Sequence, residues 1–126
     1  IQAHQRPKPR LDVLPLLWKC LDESEDFSSI SAQKSFPVAG MDSSDGLADA
    51  ILQICRSSGI GARINRDRIP IAPALTRWQS IDQALQWGLY GGEDFELVLC
   101  LPLAIALKLV DQFGEGAAII GTTTEE

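Results

Sequence analysis

The hydrophobic pattern of this chain changes its period at Gly46, and this change limits the folds that the chain can adopt. Before it lies a short apolar run, Pro37 to Met41, which is typical of a strand. After it, apolar residues recur every three or four positions, as on one face of an amphipathic helix; they are Leu47, Ala50, Ile51, Ile54 and Cys55. Gly59 or Gly61 can end this helix in the left-handed conformation. The sequence therefore predicts a strand–turn–helix unit.

Strand and helix patterns alternate along the rest of the chain. The apolar run around Val98 is rich in residues that favour strands and is apolar on both faces, which predicts a central strand. Such alternation predicts an α/β domain of the α+β type, with a mixed β-sheet layered against helices. The further predicted elements are a helix at Leu11–Trp18, a strand at Ala62–Asn65, a short helix near Ala74, a helix at Gln83–Leu89 capped by Asp82, a strand at Phe95–Leu101, a helix from Pro102 to Phe113, and a strand at Ala117–Gly121.

Composition excludes several classes of partner. The 126 residues are 45% hydrophobic, which is enough for one domain with a core. A net charge of -6 argues against nucleic-acid binding, because phosphate backbones are held by clustered Lys and Arg. The longest apolar run, Leu97 to Leu107, is interrupted by Pro102 and is too short to cross a bilayer. The first residues contain no Met and no signal-peptide core, so we interpret the chain as a piece of a longer protein.

The cysteines indicate a cellular compartment. Cys20, Cys55 and Cys100 lie far apart and lack the CxxC spacing of a zinc or redox motif. This pattern favours buried free thiols in a reducing cytoplasm over a disulfide or a zinc site.

Two carboxylates and two serines occupy the turn between the first predicted strand and its helix: Asp42, Ser43, Ser44 and Asp45. The first backbone N–H groups of a helix are unpaired and attract anions such as phosphate. Two nearby aspartates would add hard oxygen ligands of the kind that Mg²⁺ prefers. The alternative is that Ser44 or Asp45 caps the helix, an interaction worth about 1 kcal/mol. The residues at this turn leave both interpretations open.

A second junction of similar composition lies between Leu89 and Pro102. Gly91 and Gly92 allow the backbone to bend or to approach a ligand closely, and Glu93 and Asp94 follow at once. Taken alone, this is a flexible loop with solvated acids; two such junctions in one domain favour a shared site. Arg6, Lys8 and Arg10 lie on a proline-stiffened segment that is either a phosphate contact or part of a solvated linker. The sequence contains no G-x-S-x-G elbow, P-loop, HRD or DFG motif, so we predict no catalytic nucleophile.

Four stretches carry a resemblance to a known family. They are "RPKPRL", "MDSSDGLADAILQICRSSGIGARINRDRIPIAPAL", "ALQWGLYGGEDFELVLCLP" and "AAIIGTTTEE". Together they resemble the C-terminal part of the thiamine-monophosphate kinases, in the superfamily of aminoimidazole ribonucleotide synthetase and selenophosphate synthetase. The pairing of the D-x-SDGL block with the GGEDFEL block is the most specific element. The resemblance covers most of residues 6–10 and 38–125, and implies a fold like the C-terminal domain of aminoimidazole ribonucleotide synthetase.

The resemblance implies an activity and a set of site residues. Members of this family transfer the γ-phosphate of ATP to thiamine monophosphate, giving thiamine diphosphate, with Mg²⁺ as the metal and usually as cytoplasmic homodimers of two-domain chains. Position by position, the matching residues are Asp42 and Asp45 for magnesium, Ser44 for the nucleotide and Glu93 for thiamine monophosphate, with Asp94 and Arg6 as weaker matches for phosphate positioning.

The resemblance also implies how the chain is divided. Residues 1–18 would be a linker and short helix entering from an N-terminal domain that the chain lacks, and residues 19–36 an exposed insertion. Residues 37–126 would form the C-terminal domain, incomplete at its C-terminus and inactive alone. Two alternatives stay open: another ATP-dependent member of the superfamily, of the ribonucleotide amidine synthetase or selenophosphate synthetase type, and a non-catalytic interaction domain with well-capped helices.

Overall fold

Helices and short strands alternate in the computed structural model, which describes residues 5–23 and 38–125. This organisation confirms the predicted α+β class. Most of the predicted insertion, residues 24–36, lies outside the described residues, as does Pro37. In chain order the elements are α1 (Val13–Asp22), β1 (Ala39–Asp42), α2 (Leu47–Ser58), β2 (Gly61–Ile64), a 3-10 turn (Arg66–Arg68), α3 (Pro73–Thr76), α4 (Ile81–Tyr90), β3 (Leu97–Cys100), α5 (Leu103–Phe113) and β4 (Gly121–Thr124).

The strands form two antiparallel pairs. β1 pairs with β3, so that Asp42 lies opposite Leu97, and β2 pairs with β4, so that Gly61 lies opposite Thr124. The described residues therefore contain two small sheets where we expected a single mixed one. The reason lies in the connection: α2 joins β1 to β2, which belong to different sheets, so no parallel crossover is formed. β3 has β1 as its partner in the described part of the chain and is half-buried, where we expected a central strand.

Helix α2 forms as its sequence predicts. Ala50 and Ile54, from the predicted apolar stripe, are buried. The helix ends at Gly59, whose φ of 63° and ψ of 38° are left-handed, and this confirms the predicted cap. Among the described helices, none combines the length and the apolar character needed to cross a bilayer.

The main hydrophobic core lies between α1 and α5. α1 continues beyond the predicted end at Trp18, because Cys20 and Leu21 extend its apolar face toward α5. Leu99 of β3 packs against this cluster, which connects the helix pair to the first sheet. The buried members are Leu17, Cys20, Leu21, Ile105 and Leu109.

Two predicted details were wrong. Ser80 caps α4 by accepting a hydrogen bond from the Gln83 N–H at 3.3 Å, whereas Asp82 lies inside the first turn of the helix and accepts a hydrogen bond from Arg66 at 2.7 Å. The last strand begins at Gly121, where the predicted strand was to end. Its β-branched threonines favour a strand, and they, rather than the more apolar residues 117–120, form the hydrogen-bonded pair with β2.

The prediction of free thiols is confirmed for all three cysteines. Cys20 is fully buried in the core, and Cys55 and Cys100 are half-buried. Burial, with a smaller contribution from nearby Cys55, raises the pKa of the Cys100 thiol. Such a thiol is a poor nucleophile at neutral pH.

Candidate functional site

The two acidic, glycine-containing junctions lie in direct contact. Because Asp42 ends β1 opposite the first residue of β3, the turn after β1 and the loop before β3 meet at one end of the sheet. The Ser43 N–H donates to the Glu96 carbonyl at 2.8 Å, and the Glu93 N–H donates to the Ser44 carbonyl at 2.8 Å. The structure therefore joins residues 42–46 and 91–96, which we call the two junctions, through backbone hydrogen bonds.

Ser43 adds a side-chain connection between the junctions. Its side chain is buried, with 5% of the residue exposed. The hydroxyl donates to Asp94 Oδ1 at 2.9 Å and accepts from the Glu96 N–H at 3.1 Å. Sequence reasoning assigned no role to Ser43, because its partners come from a loop about fifty positions further along the chain, 51 in the case of Asp94.

Two glycines are required by this contact. A Cβ on Gly92 would overlap the carbonyl oxygen of Ser44. Gly46 has a φ of 103°, and a Cβ there would lie 3.0 Å from the Leu89 carbonyl oxygen and 3.2 Å from that of Gly91. Both positions allow one backbone segment to pass close to another, which only a residue without a side chain permits.

Two residues of the second junction have unfavourable backbone conformations. Glu93 has a φ of 68° and Phe95 a φ of 55°, in the left-handed region that non-glycine residues seldom occupy. Such a conformation costs about 1–2 kcal/mol per residue and persists where surrounding contacts hold it. Glu93 is exposed, so the conformation presents its side chain to solvent. Conformations of this kind are concentrated at ligand-binding sites.

The structure excludes one of the two interpretations of the first junction that the sequence left open, and the other stays a prediction. Helix α2 begins after Gly46, and no described side chain caps it. The capping roles considered for Ser44 and Asp45 are therefore wrong. Asp45 is exposed beside the first turn of the helix, and Ser44 is half-buried. The residues at this helix start are thus available for a different purpose.

The Asp42 carboxylate is held ionised by its own turn. Its Oδ1 accepts a hydrogen bond from the Ser44 N–H at 3.1 Å. Hydrogen bonds from the Ser44 hydroxyl and backbone N–H hold the pKa of the Asp42 carboxyl below its ordinary value. The lowered pKa keeps the Asp42 carboxylate charged at neutral pH, and its exposure makes it accessible to a cation.

The described residues do not form a complete metal site by themselves. Within the described ranges, no group of three or more His, Cys, Asp or Glu side chains is placed to hold a metal ion. Asp42 and Asp45 supply two exposed carboxylates from one turn. This donor set fits Mg²⁺, which takes one or two protein carboxylates and completes its shell with substrate phosphates and water.

Arg10 contacts the second junction, a role that the sequence did not predict when it grouped Arg10 with Arg6 and Lys8 on one segment. Its guanidinium forms an ion pair with the Glu96 carboxylate and a second with Asp12 at 3.1 Å, and it lies over the Phe113 ring, 5.7 Å from the centroid. These contacts fasten the N-terminal segment to the second junction. Arg6, which was selected, is exposed and takes part in none of the described hydrogen bonds of the junctions.

Comparison with known proteins identifies the family. The family described as "AIR synthase related protein, C-terminal domain" matches residues 7–126. The chain belongs to this family.

Individual relatives carry a more specific name. The thiamine-monophosphate kinase of Synechococcus elongatus is 51% identical over 126 residues, which are 100% of this chain and 35% of the relative. That of Escherichia coli K12 is 33% identical over 102 residues, 81% of this chain and 26% of the relative. The crystal structure of the thiamine-monophosphate kinase of Stenotrophomonas maltophilia K279a matches with a TM-score of 0.61 and 27% identity, covering 70% of this chain and 29% of that one. The chain spans about a third or less of the length of these relatives.

Proposed function

We propose that this chain is part of an ATP-dependent kinase that transfers the γ-phosphate of ATP to thiamine monophosphate and so forms thiamine diphosphate. The observation that carries the proposal is the 51% identity, over all 126 residues, to a protein named thiamine-monophosphate kinase. The family alone is compatible with other activities. The relatives that match individually favour the kinase over the ribonucleotide amidine synthetase or selenophosphate synthetase alternatives.

The two junctions supply the residues for this reaction. In the proposal, Ser44 contacts the nucleotide and Glu93 contacts thiamine monophosphate, while Asp94, next to Glu93 in the chain, positions phosphate. Their support is the contact between the junctions: the Glu93 N–H is bonded to the Ser44 carbonyl, and Asp94 to the Ser43 hydroxyl. Two substrates held by these residues would therefore lie side by side.

Magnesium fits the same surface. Asp42 and Asp45 would hold the ion, because both are exposed and Asp42 is charged at neutral pH. When bound, Mg²⁺ supplies charge neutralisation for the transferred phosphoryl group.

The reaction needs little from the protein besides positioning. The acceptor is already a phosphate, so no side chain has to be activated as a nucleophile. The uncapped start of α2 offers backbone N–H groups to an anion. Gly46 and Gly92 let the two backbone segments approach, and so keep the two substrate contacts close. In-line transfer depends on this relative placement.

We further propose that the active enzyme is a cytoplasmic homodimer whose longer chain contributes an N-terminal domain, and that this chain alone is inactive. Arg6 would then contact phosphate from the segment that leads to that domain. The 35% coverage of the Synechococcus relative supports a requirement for additional chain.

A chimera tests the proposal directly. This chain replaces the matching segment of the Synechococcus elongatus kinase. Formation of thiamine diphosphate from ATP and thiamine monophosphate is measured by oxidation to fluorescent products and chromatographic separation of the diphosphate from the monophosphate. We expect activity, and a loss of at least about 100-fold for Asp45→Ala, the size seen when charge stabilisation is removed. Asp111→Ala removes an exposed acid from α5 and serves as the matched control. A chimera that folds like its parent but forms no thiamine diphosphate would contradict the proposal.

A further inference from the structure

The Ser43 hydroxyl forms hydrogen bonds to Asp94 and to the Glu96 N–H that neither the fold nor the proposed ligand contacts explain. We propose that Ser43 is a positioning residue, which holds the loop carrying Glu93 and Asp94 against the first junction in the conformation that binds thiamine monophosphate. It touches no ligand itself. The inference rests on the proposed function for the identity of the ligand, whereas the holding of the loop is a property of this chain.

The hydrogen-bonding capacity of Ser43 is directed almost entirely across the junction. Its N–H donates to the Glu96 carbonyl, its hydroxyl accepts from the Glu96 N–H, and the same hydroxyl donates to Asp94. Its carbonyl accepts from the Gly46 N–H at 2.9 Å, which closes its own turn. Three of these four bonds therefore end on the second junction. The two bonds of the hydroxyl depend on the serine side chain, and a serine that only filled space would need neither of them.

The loop that these bonds reach is one that needs holding. Glu93 and Phe95, on either side of Asp94, have positive φ values of 68° and 55°. A loop with two such residues relaxes to a more favourable conformation unless its surroundings fix it. Ser43 binds the loop at Asp94 and at Glu96, so its bonds flank Phe95 and follow directly after Glu93.

The outer side of the loop is fastened separately. Arg10 pairs with the Glu96 carboxylate at the surface, where both groups are partly exposed. An exposed ion pair contributes little and is screened by salt. The bonds of the Ser43 hydroxyl are part-buried, so salt screens them less than the ion pair, and Ser43 is the better shielded of these two side-chain connections to the loop.

The first experiment measures the loop without any ligand. Amide hydrogen exchange is followed in this chain for the wild type, Ser43→Ala and Ser80→Ala, which removes a different serine hydroxyl with a hydrogen bond of its own, at the start of α4. We expect Ser43→Ala to lower protection at residues 93–96 at least about tenfold, the equivalent of one lost buried hydrogen bond. Ser80→Ala is expected to leave that segment unchanged. Unchanged protection at residues 93–96 in Ser43→Ala would overturn the inference.

The second experiment connects the loop to the reaction. In the chimera described above, Ser43→Ala is expected to raise KM for thiamine monophosphate about tenfold or more, because Glu93 is displaced. KM for ATP is expected to stay within about twofold, because Ser44 keeps its turn with Asp42. Ser43→Thr keeps the hydroxyl and is expected to restore most of the affinity. A merely structural serine would instead lower the amount of active enzyme and leave both KM values unchanged, and that result would overturn the positioning role.

The outcomes separate the two proposals. If the unsubstituted chimera is inactive but Ser43→Ala loses protection at residues 93–96, the function is contradicted and the holding role is supported. If Ser43→Ala fails to fold, Ser43→Cys replaces it, because a thiol of similar shape is a weaker donor and acceptor. Wild-type protection and wild-type KM values in Ser43→Cys would overturn the inference.

Discussion

Replacement of Gly92 by alanine tests the contact between the two junctions most severely. A Cβ at this position would overlap the Ser44 carbonyl oxygen and would lie 3.3 Å from Asp45 Cα. Both neighbours are backbone atoms, so neither can move aside by a change of rotamer. The hydrogen bond from the Glu93 N–H to the Ser44 carbonyl, 2.8 Å long, would have to lengthen or break. Gly92→Ala therefore separates the junctions at their closest point.

The size of the effect follows from two contributions. Forcing an extra carbon into a packed position costs about 1–3 kcal/mol. Loss of one backbone hydrogen bond adds about 0.5–1.5 kcal/mol. We therefore expect the free energy of unfolding to fall by about 1.5–4.5 kcal/mol, which corresponds to a Tm lower by roughly 6–17 °C in a domain of this size.

Urea unfolding, followed by tryptophan fluorescence, measures this change. Gly88→Ala is the matched control, because Gly88 lies four positions before Gly92 and inside α4. A Cβ at Gly88 meets only the end of the Ile71 side chain, at 2.9 Å, and alanine favours the helix by about 1 kcal/mol. We expect Gly88→Ala to be as stable as the wild type or more so. Equal stability of Gly92→Ala and Gly88→Ala would refute the close approach of the junctions.

Three further predictions concern single side chains. Ser44→Ala raises the pKa of Asp42 toward its ordinary value, as measured by NMR titration. Because the pKa of Asp42 is lower in the folded state, its carboxylate stabilises the fold above the unfolded-state pKa. That stabilisation is lost as pH falls through the folded-state pKa. Leu109→Ala lowers the free energy of unfolding by about 2–5 kcal/mol, whereas Leu107→Ala, at a residue 55% exposed, changes it by less than about 0.5 kcal/mol, both by urea titration. Cys20, with 0% exposure, is alkylated by iodoacetamide only after unfolding, as mass spectrometry of its peptide shows.

Features that depend on nearby residues could be predicted from the sequence. The apolar stripe and glycine cap of α2 follow from spacings within one helix. The helix between Pro102 and Gly114 likewise begins and ends at residues that restrict or free the backbone locally. The four principal residues proposed for the site come from the resemblance, whose motifs are short and contiguous, and their roles stay predictions.

Features that depend on distant residues could not be predicted in this way. The choice of two antiparallel pairs over one mixed sheet depends on which strands meet, and strand periodicity carries no such information. The same holds for Arg10, whose partner Glu96 lies 86 positions away. Ser43 lies within the D-x-SDGL block, but the role proposed for it depends on a loop from the second half of the chain.

The pairing of β1 with β3 has a consequence for the protein during its synthesis. Asp42 and Leu97 are opposite one another in the sheet, so Asp42 leaves the ribosome well before β3, the strand that completes its surroundings. Until that strand arrives, the nascent chain has an acidic turn without the neighbouring loop, so the proposed site is incomplete. A ligand that needs both junctions would therefore stabilise the assembled domain and not its earlier folding stages.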